Sequence, residues 1–246
     1  MTSSLLKLPP AARQTLLIEM NDWLGGLTAQ ARVEWALGQL PETHVVSSSF
    51  GVQAAVMLHM MTQAKPDIPV VLIDTGYLFP ETYRFIDELT ERLSLNLHVT
   101  RAEISPAWQE VKYGELWKKG EDGIRTYNRM NKVEPMQRAL GDLDAKTWFS
   151  GVRRVQAKSR EAREIVEVQE GRIRVHPIVD WSNRTVHRYL TQHDLPYHPL
   201  WEKGYVSVGD THTTAPLSAG MAEEDTRFGG LLRECGLHPE ATPKAS

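Results

Sequence analysis

One cysteine, Cys235, stands in the 246 residues of the chain. A lone thiol cannot close an internal disulfide, complete a cysteine metal site or hold an iron–sulfur cluster. No stretch approaches the roughly 18 uninterrupted apolar residues of a membrane span, and residues 1–10 lack the apolar core of a signal peptide. The chain is therefore expected to be soluble and cytoplasmic. Charge of one sign is also missing: 28 Lys and Arg face 31 Asp and Glu, for a formal net charge of −3. That balance gives no global reason to bind nucleic acid or an anionic membrane, and leaves anion recognition to local patches. There is no Gly-Lys-Ser/Thr ending of a Walker loop and no His-Glu-x-x-His pattern, and His176, His187, His193 and His198 lack ligand spacing, so no metal is expected.

What is present reads as one principal domain, since 41% hydrophobic content over this length can fill one large core. Residues 1–43 form a helical preface, with helices over Ala11–Trp23 and Thr28–Leu40, a Thr28 cap and a Pro41 stop. Strand, helix, strand, helix, strand then follow over His44–Ser48, Gly51–Gln63, Pro69–Ile73, Pro80–Leu93 and Leu95–Thr100. That alternation predicts an α/β fold, a parallel sheet with helices on both faces, extending over residues 44–209. Pro106–Leu140 is helical but rich in Lys, Glu and Gly, which suggests surface helices or a lid over the sheet edge. A strand is expected over Trp148–Gly151, and Ile165–Gln169 and Ile173–Pro177 flank Glu170-Gly171 as a hairpin. Ser182–Gln192 is a capped helix. The remainder, residues 210–246, is expected to be a mobile arm with one short helix over Glu223–Leu232.

Four loops carry candidate chemistry. Ser47, Ser48, Ser49 and Gly51 lie where the first strand gives way to a helix, where backbone N–H groups and hydroxyls can cradle anionic oxygen. Ser and Gly also cap helices without a ligand, and three consecutive serines exceed the needs of one cap. Asp74-Thr75-Gly76 ends the second apolar strand on the same rim. It can bind a ribose or an adenine amino group, or act as a capped turn. Gly151-Val152-Arg153-Arg154 opens a basic run through Lys158, Arg160 and Arg163 that could pair with phosphate or sulfate, or be a solvated loop. Lys132 is a further candidate cation, and His212 lies in the irregular stretch leading to Cys235. That cysteine sits in a polar segment between Arg233 and His238, which can lower a thiol pKa and make it reactive; a buried packing cysteine is the alternative.

Together Ser47-Ser48-Ser49-Phe50-Gly51, Asp74-Thr75-Gly76-Tyr77-Leu78-Phe79-Pro80-Glu81-Thr82, Gly151-Val152-Arg153-Arg154, Asp210-Thr211-His212-Thr213-Thr214 and Glu234-Cys235-Gly236-Leu237-His238 resemble the assimilatory phosphoadenylyl-sulfate reductases. The resemblance runs in order from about His44 to His238. It implies the adenine-nucleotide hydrolase-like fold related to the ATP pyrophosphatases. It also implies release of sulfite from 3'-phosphoadenylyl sulfate, with Cys235 as nucleophile and the serine loop holding nucleotide or phosphosulfate. It further implies a homodimer with no bound cofactor, using reduced thioredoxin, or glutaredoxin in some members. Relatives that reduce adenylyl sulfate carry cysteine pairs around an iron–sulfur cluster; their absence here places the chain with the cluster-free type. Between His212 and Met221 the chain lacks the basic residues several members carry there, which leaves Arg227 and Arg233 as the arm's anion ligands.

On this reading Cys235 takes up a sulfonate while Lys132, Arg153, Arg154 and Arg227 neutralise the substrate's oxygens, and an external dithiol resolves the adduct. Two other readings fit the same sheet. One is an ATP pyrophosphatase-type ligase or sulfurtransferase, for which the aspartate of a Ser-Gly-Gly-x-Asp-Ser loop is missing; the other is a non-catalytic nucleotide-binding protein with Cys235 as redox sensor.

Overall fold

The computed structural model describes residues 2–230, so Arg233, Cys235 and His238 lie outside the described residues. Six strands form one sheet: β1 (His44–Ser47), β2 (Pro69–Ile73), β3 (Asn96–Thr100), β4 (Thr147–Ser150), β5 (Val166–Gln169) and β6 (Arg172–Val175). Their order is β3-β2-β1-β4-β6-β5, all parallel except β5, which runs antiparallel to β6. The hairpin expected around Glu170-Gly171 is present. Both turn residues have positive φ, 53° and 73°, the two-residue geometry whose twist matches that of paired strands.

Alternation along each strand divides the core in two. Val46, Val70, Leu72, Phe149, Ile173 and Val175 point to one face. That face is covered by α1 (Pro10–Gly25), α2 (Ala29–Gln39), α3 (Ala54–Ala64), α4 (Pro80–Leu93) and α8 (Asn183–Gln192). The preface thus shares the main core through Leu24, Val33 and Ala36. Arg32, 3% exposed, fastens it by donating to the carbonyls of Leu24 and Pro177 and to both Asp180 carboxylate oxygens.

Val45, Val71 and Trp148 point the other way, onto Met136 and Leu140 of α7 (Glu134–Asp142). Here the structure corrects the expectation of surface helices or a lid. α5 (Pro106–Tyr113) and α6 (Gly120–Asn128) precede a π-helical turn at Arg129–Val133, and α7 then packs on the sheet as its second layer. Its stripe, Met136, Ala139, Leu140 and Leu143, has helical spacing, but charged neighbours dilute it in a composition-based reading.

Two further boundaries differ. α3 begins at Ala54 rather than Gly51, because Phe50 adopts φ 48° and donates its N–H to Ser48 Oγ at 3.0 Å. Up to Gly230, the short helix expected over Glu223–Leu232 is two 3-10 turns, Glu223–Thr226 and Phe228–Gly230, with Arg227 between them and a positive φ at Phe228. As far as Gly230 the arm is fastened to the body. Thr211 N donates to Tyr77 O at 2.8 Å and Leu217 N to Gly204 O at 2.9 Å, and Ala215 N pairs with Thr226 O at 3.0 Å. Among the described residues no helix is long and apolar enough to cross a membrane.

Candidate functional site

β1 has β2 on one side and β4 on the other, so the chain leaves the sheet centre in opposite directions at their C-terminal ends. Such a divergence opens a crevice at the rim of a parallel sheet. A cleft of about 1200 Å³ occupies it.

The turn after β1 forms its floor. Ser48 N donates to Val71 O at 3.1 Å, which ends the strand, and buried Phe50 anchors the reversal. Among the described residues the N–H groups of Ser49, Gly51, Val52 and Gln53 donate to no backbone carbonyl. Successive unspent N–H groups before a helix make a concavity that favours negative charge. Ser47 Oγ accepts from Trp148 Nε1 at 2.7 Å. Because indole N–H is a donor only, the serine's own proton is left for a ligand.

The loop after β4 supplies one wall. Arg153, 4% exposed, crosses to Gln53 Oε1 at 2.6 Å and Asn183 Oδ1 at 2.9 Å. Burial lowers its pKa to about 10, so it remains a cation at neutral pH. Its neighbour Arg154 turns away from the cleft, donating to Arg163 O at 2.7 Å and pairing with Glu164 at 3.1 Å. Arg160 lines the cleft, whereas Arg163 is buried in a 2.7 Å pair with Glu167.

The opposite wall holds a charge cluster. Lys132, in the π turn, places Nζ 2.7 Å from Asp210 Oδ2, and Thr75 Oγ1 donates to Asp210 Oδ1 at 2.5 Å. Burial alone would raise the Asp210 pKa, but the Lys132 charge and the Lys132 and Thr75 hydrogen bonds hold it at about 2. Arg227 Nη1 donates to Ser207 Oγ at 3.3 Å, and its guanidinium lies on Gly209, where an added Cβ would be 2.2 Å from Nη2. The Lys132 ammonium also sits 5.5 Å from the Tyr127 ring and 5.3 Å from that of Phe228, within cation–π range.

Of the residues singled out in the sequence, Ser47, Ser48, Ser49, Gly51, Thr75, Lys132, Arg153 and Arg227 meet on this cleft. Asp74, Gly76, Arg154 and His212 do not line it. Asp74 instead accepts from Gly76 N at 2.9 Å, Tyr83 Oη at 2.7 Å and Arg101 Nε at 2.9 Å, and so builds the turn that aims Thr75. His212 lies in an aromatic box, 3.7 Å from the Trp117 centroid and 4.7 Å from that of Tyr77. Burial there lowers its pKa to about 4. Sequence reasoning gives no individual role to Asp210, Gln53 or Asn183, the cleft residues that hold Lys132 and Arg153. Among the described residues no three His, Cys, Asp or Glu side chains converge as a metal site.

A family model described as phosphoadenosine phosphosulfate reductase domain matches residues 43–216. The chain is 61% identical over 237 residues to the phosphoadenosine 5'-phosphosulfate reductase of Shewanella oneidensis, covering 96% of this chain and 97% of that protein. It is 64% identical over 215 residues to the reductase of the same name from Alkalilimnicola ehrlichii, covering 87% and 88%. A crystal structure of the phosphoadenylyl-sulfate reductase of Candida auris, a phosphate complex, superposes with a TM-score of 0.71 at 29% identity, over 81% of this chain and 96% of that one. The FMN adenylyltransferase of Candida glabrata shares the fold, with a TM-score of 0.56 at 16% identity, over 79% of this chain and 68% of that one.

Proposed function

Since the chain belongs to the phosphoadenosine phosphosulfate reductase family and is a reductase of sulfate assimilation, we propose that it forms a cysteine S-sulfonate on Cys235 that reduced thioredoxin resolves. The observation that carries this reading is the convergence on one cleft of Lys132, Arg153 and Arg227 with the unspent N–H groups of the turn at residues 49–53.

A phosphosulfate bears several negative oxygens that would repel an approaching thiolate. Fixed cations and N–H donors in a partly desolvated cleft lower that barrier without reorganising during the reaction. Lys132, Arg153 and Arg227, with the Ser47 hydroxyl, are the groups of this chain that hold those oxygens. The Cys235 thiol loses its proton to solvent, and the thiolate attacks the sulfuryl sulfur. An S–S bond forms, the S–O bond breaks, and adenosine 3',5'-bisphosphate leaves with the electron pair. A thioredoxin thiolate then attacks Cys235 Sγ and sulfite departs with the S–S electron pair. The second thioredoxin thiol breaks the mixed disulfide, so thioredoxin ends oxidised by two electrons. A single cysteine offers neither an internal resolving thiol nor the thiolates of a cluster. A homodimer in the cytoplasm, served by thioredoxin or glutaredoxin, belongs to the same reading.

The test is to incubate the protein with phosphoadenylyl sulfate without reductant and to measure its intact mass. A gain of one SO3 group on Cys235, discharged as sulfite by reduced thioredoxin and absent in Cys235→Ser, is expected. Sulfite production by Cys235→Ser at a normal rate would overturn the mechanism.

A further inference from the structure

Ser47, Ser150 and His176 stand side by side at the C-terminal rim of β1, β4 and β6. Ser47 and Ser150 are register partners, and His176 follows Val175, the partner of Phe149. Ser150 lines the cleft, and its Oγ lies 2.8 Å from Nδ1 of the fully buried His176. On the far side, Nε2 faces Glu167 Oε2 of β5 at 3.9 Å. That carboxylate is itself held by Arg163 Nη1 at 2.7 Å and by Glu164 N at 2.9 Å. The row therefore runs from an anion-binding cleft to a buried ion pair.

We propose that the Ser150 hydroxyl and His176 form a switch through which binding of a sulfate- or phosphate-type oxyanion beside Ser150 draws one proton onto His176. In the empty cleft the ionised Glu167 favours the N–H on Nε2, so Nδ1 carries a lone pair and accepts the Ser150 proton. The serine then shows the cleft only oxygen lone pairs, which repel an anion. To bind one, the hydroxyl turns its proton outward, and Nδ1, now facing a serine lone pair, takes a proton from solvent and becomes a donor. The resulting imidazolium lies between Glu167 and the bound anion. Burial and the guanidiniums of Arg163, before β5, and Arg174, on β6, keep His176 neutral until that anion arrives; Glu167 is the group that favours the charge. His176 is thus a positioning residue that acts through Ser150. The inference rests on reading the cleft as an anion site.

Inorganic sulfate is the probe, because it stays fully ionised between pH 6 and 8 and brings no proton of its own. Its affinity is measured across that range on the full-length protein, with calorimetry in two buffers of different ionisation enthalpy to count protons. Uptake approaching one proton per sulfate is expected, with affinity falling toward roughly tenfold per pH unit at the alkaline end. Ser150→Ala and His176→Gln should still bind sulfate, roughly three- to tenfold more weakly at neutral pH, with the proton uptake gone, and Ser150→Thr should restore it. Unchanged uptake in Ser150→Ala would overturn the switch while leaving the anion site standing. Absence of any sulfate binding by the wild type would overturn both.

Discussion

Lys132 Nζ and Asp210 Oδ2 lie 2.7 Å apart in the cleft wall, with their side chains 9% and 1% exposed. The pair joins a π-helical turn to a bridge between Leu78 and Asp210 far along the chain. It also settles the charge of the wall. With Arg227 nearby, two cations and one buried carboxylate leave one net positive charge, which limits repulsion in the empty cleft and leaves attraction for an anion.

Asp210→Asn keeps the shape and removes the charge. Lys132 is then buried without a counter-ion, and the fold should lose about 3 kcal/mol, the usual scale for breaking a buried pair from one side. Urea unfolding measures this as a lower midpoint with an unchanged slope. A loss below about 1 kcal/mol would mean that the pair is solvated.

Gly209→Ala puts a methyl group where Arg227 now lies, 2.2 Å from Nη2 and 2.5 Å from Cζ. The clash is with the end of a flexible side chain, so the melting temperature should stay within about 2 °C while the guanidinium leaves the wall. The KM for phosphoadenylyl sulfate should rise roughly tenfold, the scale of one charge-assisted hydrogen bond. An unchanged KM would remove Arg227 from the binding set.

Arg153 and Arg154 are neighbours with opposite outlooks. Arg153→Ala should raise KM by about an order of magnitude, because a cleft cation and the bonds ordering Gln53 and Asn183 go together. Arg154→Ala should leave KM within about twofold and act on stability through Glu164 and the Arg163 carbonyl. Steady-state kinetics on the two variants separates them, and equal KM effects would contradict the placement.

Acid should destabilise the fold in two overlapping ranges. Burial lowers the pKa of both His198 and His212 from 6.5 to about 4. The folded state therefore binds fewer protons than the unfolded state, and the stability these groups contribute above pH 6.5 is lost as pH falls through about 4. Burial would raise the Glu167 pKa, but the His176 edge facing it at 3.9 Å, the Glu164 N hydrogen bond and the Arg163 charge bring it from 4.5 to about 2. Asp210 is likewise lowered from 3.8 to about 2, so both contribute stability above those ordinary values that fades toward pH 2. Denaturation at a series of pH values should show a continuous decline below pH 6.5. A flat profile down to pH 4 would contradict the neutral, buried histidines.

Hairpin and strand–helix signals survived folding because they are local. Glu170-Gly171 specifies its own turn, and the unbroken apolar runs Val45-Val46 in β1 and Val70-Val71-Leu72-Ile73 in β2 are what burial on two faces requires. The serine turn was legible for the same reason, since a strand end and a helix start lie within one short segment. α7 was harder to read: its burial depends on Val45, Val71 and Trp148 from other strands, and its own short sequence sets Glu134, Arg138 and Asp142 among its few apolar residues.

Taken alone, the amino-acid order determined the order of strands and helices, the loops that end at one rim and the presence of a single thiol, because each is a property of neighbours in the chain. Tertiary structure decided which side chains face the cleft. Adjacent guanidiniums at 153 and 154 part company because Gln53 and Asn183 stand on one side and Glu164 on the other. Asp74 turns to Arg101 and Tyr83 while Asp210 takes Lys132. An ionic side chain's role depends on which opposite charge lies within a few ångströms, and that distance is created only when the sheet brings remote segments together.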